Sequence, residues 1–324
     1  MDLRSLAAVP LAALALTACG SSDASTGDSG AGAERLDVVV GAYPYEFVAQ
    51  RVGGDAVTVE NLTEPGAEPH DVELTARQVA AVGEADLVVR SAGFQPALDE
   101  AVAQQEASVL DVLELVETRA GADPHAGEER AEEGHAEDEH ADEEQHAEEE
   151  HADGTVDPHV WLDPQRLATI ADEVADRLAD LSPDQADGFR ERAQQLRTEL
   201  EQLDTELAEG LASCERTQVV TSHEAFGYLT ERYGLEQVGI SGLSPEGEPS
   251  PRRLAEVAEI ARANGVTTVF FEETVSPRVA EQLAREVGAT AEVLSPLETA
   301  PGSGDYLTAM RTNLEQLRTA LGCS

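Results

Sequence analysis

The stretch LDVVVGA at residues 36–42 is followed by YEFVAQRVGG at residues 45–54 and AVTVENL at residues 56–62. The first and third segments are short and rich in valine, which is typical of buried β-strands. The middle segment has the spacing of an amphipathic helix and ends in glycine. Nearly continuous apolar strands that alternate with helices predict a parallel β-sheet covered on both faces.

The same alternation of strands and helices occurs twice. It runs from Leu36 to about residue 114, stops, and resumes near residue 217. A long helix is predicted between the two runs, from about Ser182 to Ala212, with leucines along one face. The sequence therefore predicts an α/β protein with an N-terminal lobe at residues 36–182, a rigid linker helix at residues 183–212 and a C-terminal lobe at residues 213–324.

Residues 119–157 interrupt the N-terminal lobe with a segment that has no apolar periodicity. Between Gly121 and Asp157 there are 16 acidic residues and one arginine. Such a composition buries too little apolar surface to fold, so we predict a disordered loop. Five histidines recur in it and are predicted to bind metal weakly and exchangeably: His125, His135, His140, His146 and His151. The alternative is an acidic segment that only interacts with solvent.

The N-terminus has the features of a targeting segment. A single base precedes the apolar run LAAVPLAALALTA, which is too short for a membrane span, and Leu16-Thr17-Ala18-Cys19 resembles a bacterial lipobox. We predict a lipoprotein signal peptide at residues 1–18, lipid on Cys19 and a flexible tether at residues 19–35. An ordinary signal peptide cleaved nearby is the alternative. Cys214 and Cys323 are then a candidate disulfide in an oxidising compartment, or two free thiols.

The charge of the chain excludes some classes of partner. The formal net charge is −44, from 65 acidic and 21 basic residues. A surface this acidic repels nucleic acids and anionic lipid heads and attracts cations. We therefore expect no nucleic-acid partner.

Three of the eight histidines lie outside the loop: His70, His159 and His223. Each comes just before a predicted helix, and two of them also follow a predicted strand. Ligands of open α/β sheets bind at the carboxyl ends of strands, so these side chains are predicted to converge on one metal ion. Asp305 occupies the matching place before the last helix and is the predicted fourth ligand. Glu68 and Glu224, which are close to histidines in sequence, compete for that role.

Several motifs together resemble one known family. GAEPHDVELTARQ, DPHVWLDP, SHEAFGYL, GLSPEGEPSP and DYLTAMRTNL are similar to segments of the metal-binding lipoproteins of bacterial zinc and manganese ABC importers, the cluster A-I or ZnuA/TroA-like family. The resemblance covers the chain from Leu36 to the end. It implies two Rossmann-like lobes joined by a long helix and one metal ion in the cleft. It also implies ligation by His70, His159 and His223, with Asp305 as fourth ligand or Glu68 in its place.

The resemblance also implies a function. The protein would capture a metal outside the cytoplasm, anchored to the membrane by lipid, and deliver it as a monomer to an ABC permease. Members for manganese usually carry a carboxylate where this chain has His223, and imidazole favours zinc over manganese, so Zn(II) is expected and Mn(II) is the alternative. Zinc binding is expected to weaken below about pH 6 as histidines become charged. A zinc hydrolase with Glu224 as base, and an extracellular zinc buffer or adhesin, are the alternatives from other classes.

Overall fold

The computed structural model describes residues 35–105, 107–121 and 156–324. The predicted signal peptide, Cys19 and the five histidines of the acidic segment lie outside these residues. Arg35–Ser324 form one compact unit. The unit contains two parallel sheets, so the predicted α/β architecture of two lobes is confirmed.

Each sheet has four strands, and the two sheets have the same topology. The first sheet has the order β2-β1-β3-β4 and the second has the order β6-β5-β7-β8. Every pairing is parallel. In the first sheet, the central strands β1 and β3 are almost fully buried, β1 from Val38 onward. The strands are β1 (Leu36–Val40), β2 (Val57–Asn61), β3 (Leu87–Arg90), β4 (Val109–Asp111), β5 (Gln218–Thr221), β6 (Glu236–Gly239), β7 (Thr268–Phe271) and β8 (Thr290–Val293).

Helices connect the strands, and their ends follow local sequence signals. Thr75 and Gln78 form a capping box at the start of α2, and Asp163 caps α4 just before Pro164. Gly322 ends α9 in the left-handed conformation, with φ of 68°. The α-helices of the described residues are α1 (Tyr43–Gly53), α2 (Ala76–Glu84), α3 (Pro96–Gln105), α4 (Pro164–Leu181), α5 (Ala186–Leu211), α6 (Gly227–Arg232), α7 (Pro251–Ala263), α8 (Arg278–Val287) and α9 (Tyr306–Leu321).

The long helix α5 connects the two lobes. It packs against α1 and α4 on the N-terminal side and against α9 on the C-terminal side. Its predicted apolar stripe is buried throughout: Phe189, Leu196, Leu200, Leu203, Leu207 and Leu211. These residues belong to a single hydrophobic core that includes residues of β1, α1, α4 and α9. A continuous core of this kind favours a fixed arrangement of the lobes.

A disulfide bond joins Cys214, just before β5, to Cys323, just after α9. It therefore lies at the amino end of β5, whereas His223 follows the carboxyl end of the same strand. Among the helices that the structure describes, none has both the length and the apolar character needed to span a bilayer.

Candidate metal centre

Four side chains form a compact group between the two sheets. The structure brings His70, His159 and His223 together with Glu298, and one potential donor atom from each lies within 4.8 Å of all the others. His159 and His223 are fully buried, Glu298 is 2% exposed, and His70 is partly buried. Three neutral imidazoles and one carboxylate are a typical donor set for a divalent transition metal.

The sheet topology explains why these residues meet. His70 lies in the connection after β2, His223 follows β5, and Glu298 follows β8. His159 comes directly before a short 3-10 turn, Val160–Leu162, that leads into α4. The carboxyl ends of parallel strands share one edge of their sheet, so each lobe presents its loops to the cleft between the lobes.

The distances from the three histidines to Glu298 match the donor separations of a tetrahedral zinc site. The Nε2 atoms of His70, His159 and His223 lie 3.4, 3.3 and 3.4 Å from Oε1 of Glu298. Zinc holds nitrogen and oxygen donors at about 2.0–2.2 Å. Neighbouring vertices of a regular tetrahedron are separated by about 1.6 times that radius, which gives about 3.2–3.5 Å. The three distances to Glu298 fall within this range, and all four atoms lie within 4.8 Å of one another.

Two of the histidines are oriented by further carboxylates. Nδ1 of His159 donates to Oδ1 of Asp157 at 2.8 Å, and Nδ1 of His223 donates to Oε1 of Glu272. A carboxylate accepts but does not donate, so the proton of each neutral ring is on Nδ1. The lone pair is then on Nε2, which faces the centre of the group. Carboxylate–histidine pairs of this kind fix ring orientation at metal sites.

Unpartnered polar atoms also point to a cation-binding site. Nε2 of His159 and of His223, and Oε2 of Glu298, are buried without a hydrogen-bond partner among the described residues. A buried polar atom without a partner costs about 1–3 kcal/mol, so several of them at one point require an explanation. A metal ion bound by these atoms would satisfy them.

The electrostatics of the group favour uptake of positive charge. Burial opposes ionisation of Glu298, but the favourable interactions with the neighbouring imidazoles of His159, His223 and His70 outweigh burial and hold its pKa well below the usual range. Burial likewise opposes protonation of His159 and His223, yet Asp157, Glu272 and Glu298 raise both pKa values above the ordinary value. Burial lowers the pKa of His70. Protons and a metal cation therefore compete for the same atoms.

The carboxylate of the group is Glu298, and the expectation that Asp305 would take this position is corrected. Oδ1 of Asp305 accepts from the backbone N–H and the hydroxyl of Thr308, both at 2.9 Å, so it caps α9. An aspartate at an N-cap satisfies free backbone N–H groups of the first turn, and its side chain is held there. Asp305 does not belong to the group of four.

The two competing glutamates also lie outside the group. Oε1 of Glu68 accepts from the backbone N–H of His70 at 3.3 Å, and burial together with Glu298 raises the pKa of Glu68 to about 7. Oε1 of Glu224 lies 3.7 Å from Nη2 of Arg253. Burial raises the pKa of Glu224, although Arg253 opposes the shift. Both residues are neighbours of the histidines and are not in the group.

Sequence reasoning missed Glu298 because its position depends on tertiary contacts. Leu297 directly before it is buried and has φ of 59°, a left-handed conformation that is uncommon for a residue other than glycine. Nε1 of Trp161 donates to the carbonyl of Pro296 at 2.8 Å, and the backbone N–H of Tyr43 donates to the carbonyl of Glu298 at 3.1 Å. The strand-end argument applies to Glu298 as well as to Asp305, and it is the signal that could have found it.

A cavity of about 590 Å³ adjoins the group. His70, Pro158 and Val156 line it from one side, and Leu243 of the other lobe lines it from the opposite side. His70 is the one of the four residues that lines this cavity and is also the least buried of them. The cavity therefore meets the group at His70.

Comparisons with known proteins agree with this geometry. A family described as "Zinc-uptake complex component A periplasmic", ZnuA, matches residues 38–320. The zinc-binding lipoprotein AdcA of Streptococcus pneumoniae (strain ATCC BAA-255 / R6) is 35% identical over 325 aligned positions, which cover 97% of this chain and 60% of AdcA. The chain thus spans about three fifths of the length of that relative.

Two other proteins match over nearly their whole length. The high-affinity zinc uptake system protein ZnuA of Bacillus subtilis (strain 168) is 34% identical, with 95% of this chain and 94% of that protein covered. The structure of a laminin-binding protein of Streptococcus agalactiae, described as having adhesin and metal-transporting activity, superposes with a TM-score of 0.74. It is 30% identical, with 88% of this chain and 99% of that chain covered.

Proposed function

The chain belongs to the family of the periplasmic component A of zinc-uptake complexes, and from that premise we propose that it captures Zn(II) outside the cytoplasm and delivers it to an ABC importer. Zinc is the transported substrate, and its transport makes or breaks no covalent bond. The ion would enter past His70, exchange its water ligands for the four donor atoms, and later be released to the permease. We propose that the protein acts as a monomer.

One observation carries the proposal. Three Nε2 atoms lie 3.3–3.4 Å from one carboxylate oxygen in a buried group, and atoms of that group lack other partners among the described residues. That spacing suits four donors around zinc. We therefore assign ligation to His70, His159, His223 and Glu298. The names of the relatives, which refer to zinc binding and zinc uptake, support the same assignment.

The donor set favours zinc over manganese. Manganese prefers carboxylate, carbonyl and water oxygens, whereas imidazole is a good ligand for zinc. Here nitrogen supplies three of the four donors. The order of divalent-metal affinities also means that copper or nickel can bind tightly in vitro without being transported.

The same group argues against a hydrolase. Catalytic zinc sites keep one position for water or substrate, and structural sites fill all four positions with protein ligands. Glu298 supplies the fourth donor, so water has no vertex of its own in a tetrahedral complex. Glu224, the candidate general base, is instead placed beside Arg253. We propose a binding protein rather than an enzyme.

We further propose that the protein is anchored by lipid on Cys19 at the extracytoplasmic face of the membrane, as the lipobox-like sequence indicates. In this proposal the histidines of the acidic segment are accessory and collect zinc near the cavity. A zinc buffer or adhesin would instead use that segment as its main binding site. The two proposals differ in where the tight site lies.

The test measures zinc and manganese affinities by chelator competition in three proteins: the wild type, a variant lacking residues 123–153, and His70→Gln. We expect one tight zinc site in the wild type and in the deletion variant, with much weaker manganese binding. His70→Gln should lose that tight site while its fold is retained. Loss of the tight site in the deletion variant alone would overturn the proposal in favour of a buffer. Zinc uptake by cells that carry the permease, with and without this protein, then tests delivery.

A further inference from the structure

Asp157 determines the orientation of His159 through one oxygen. Its Oδ1 accepts from the backbone N–H of His159 at 3.0 Å and from Nδ1 of the same residue at 2.8 Å. The side chains of both residues are fully buried. A carboxylate that receives both donors fixes the backbone and the imidazole ring of His159 relative to each other. Its other oxygen, Oδ2, then decides how firmly the carboxylate itself is held.

Arg119 holds that second oxygen. Its Nη1 donates to Oδ2 of Asp157 at 3.2 Å, and its backbone carbonyl accepts from the backbone N–H of Asp157 at 3.0 Å. Next to this contact, Ala120 and Val156 form an antiparallel bridge. Arg119 and Asp157 are thus paired through backbone and side chain on the two chain segments that flank residues 122–155. Oδ2 of Asp157 thus takes part in a charge-assisted hydrogen bond with Arg119, while Oδ1 accepts from the two donors of His159.

The C-terminal lobe supplies the surface on which this pair lies. The hydroxyl of Tyr228 in α6 donates to the carbonyl of Asp157 at 2.8 Å and accepts from the backbone N–H of Arg119 at 3.1 Å. A Cβ on Gly227 would come within 1.3 Å of Nη1 of Arg119 and 2.8 Å of Oδ2 of Asp157. Glycine at position 227 therefore leaves the space that the ion pair occupies. The contact joins the two lobes next to the metal centre.

We propose that Arg119 is a positioning residue for metal binding, which acts through Asp157 on His159 and is itself held by Tyr228 of the opposite lobe, in the space that Gly227 leaves. It touches neither the metal nor its four donors. The inference rests on the proposed zinc binding by His159. It adds that the orientation of His159 depends on how the two lobes pack against each other, because the groups that hold Arg119 come from α6.

The structure predicts how removal of Arg119 acts. Without the guanidinium, Oδ2 of Asp157 loses its partner among the described residues, and the carboxylate can rotate away from Nδ1. The ring of His159 then samples orientations in which Nε2 does not face the centre. Loss of a group that orients a metal-binding histidine typically costs about 10- to 100-fold in metal affinity.

The test compares Arg119→Met with Arg119→Lys and Arg166→Met. Methionine keeps the length of the side chain without its charge, and lysine keeps a cation beside Asp157. Arg166 is the matched control, because its guanidinium lies over the same ring of Tyr228, at 4.8 Å, but pairs with Asp163 instead. Zinc affinity is measured by chelator competition, and the visible spectrum of bound Co(II) reports the geometry of the site.

We expect Arg119→Met to lose about tenfold or more in zinc affinity and to shift the Co(II) bands. Arg119→Lys should lose less, and Arg166→Met should retain the affinity and the spectrum of the wild type. An Arg119→Met protein with both properties unchanged would overturn the inference. So would an Arg166→Met protein with the same defect as Arg119→Met, because that result indicates a general effect of packing on Tyr228.

Gly227→Ala provides a second, independent perturbation that leaves Arg119 in the chain. If the two sites act as one unit, the variant Arg119→Met/Gly227→Ala should bind zinc about as well as Arg119→Met alone. Fully additive losses would contradict the inference. Titration of the wild type distinguishes failure of the proposed function from failure of the inference. If the wild type does not bind zinc, the proposed function is refuted. If Arg119→Met binds zinc normally, only the inference is refuted.

Discussion

Replacing Glu298 by glutamine changes one proposed ligand atom and almost no volume, so it tests the assignment of the fourth donor directly. Four-ligand zinc sites that contribute to folding bind with about 10–16 kcal/mol at neutral pH, or about 2.5–4 kcal/mol for each ligand. Each 1.4 kcal/mol corresponds to a factor of about ten in affinity. We therefore expect Glu298→Gln to weaken zinc binding about 10²- to 10³-fold.

The same loss has a thermal signature. At a fixed zinc concentration well above both dissociation constants, a 10²- to 10³-fold weaker site provides about 2.7–4.1 kcal/mol less stabilisation of the folded state. Unfolding entropy is about 2.1 cal/mol/K for each residue, which gives about 0.5 kcal/mol/K for roughly 250 folded residues. The zinc-induced rise in melting temperature should thus be smaller by about 5–8 °C than in the wild type.

Asp305→Ala is the matched control, because it removes the carboxylate that the sequence had indicated. Loss of an N-cap costs about 1 kcal/mol, so the melting temperature should fall by about 2 °C with and without zinc. Its zinc affinity should equal that of the wild type. Calorimetry with and without zinc, combined with chelator competition, measures both quantities. Unchanged affinity in Glu298→Gln, or a large loss in Asp305→Ala, would refute the reasoning.

Three further outcomes follow from the structure. Because carboxylates raise the pKa values of His159 and His223, protons should compete with zinc from above pH 6.5, which is higher than the sequence had indicated. Competition titrations from pH 5.5 to 8.5 should show that zinc affinity falls as the pH decreases. A flat profile down to pH 6.5 would contradict this expectation. His223→Asp should lower the ratio of zinc to manganese affinity by about tenfold or more, since oxygen replaces nitrogen; an unchanged ratio in metal competition would count against nitrogen-based selectivity. Removing the disulfide by the double substitution Cys214→Ala and Cys323→Ala should cost about 2–5 kcal/mol of stability, which denaturant unfolding measures. Zinc affinity, measured by competition titration, should not change, because the disulfide lies at the other end of β5 from His223.

Local sequence patterns were sufficient for the secondary structure. The valine-rich run at Leu36 and the leucine stripe of α5 appear in the structure as a buried strand and a buried helix face. A short continuous apolar run indicates a strand that is buried on both faces, and a period of about 3.6 residues decides which face of a helix is apolar; neither signal needs a distant contact. The rule that ligands bind at the carboxyl ends of strands also selected His70 and His223 as candidates, and both join the group of four.

Sequence by itself therefore determined the two lobes, the helix between them and the three histidines of the site. The identity of the carboxylate was decided by the tertiary structure. Glu298 and Asp305 lie on the same connection between β8 and α9, and each is an ordinary loop acid in the sequence. Contacts of Trp161 with Pro296 and of Tyr43 with Glu298, together with the left-handed backbone of Leu297, direct Glu298 to the histidines. The first turn of α9 uses Asp305 as its cap. These contacts join residues more than a hundred positions apart, so no local pattern encodes which acid reaches the three histidines.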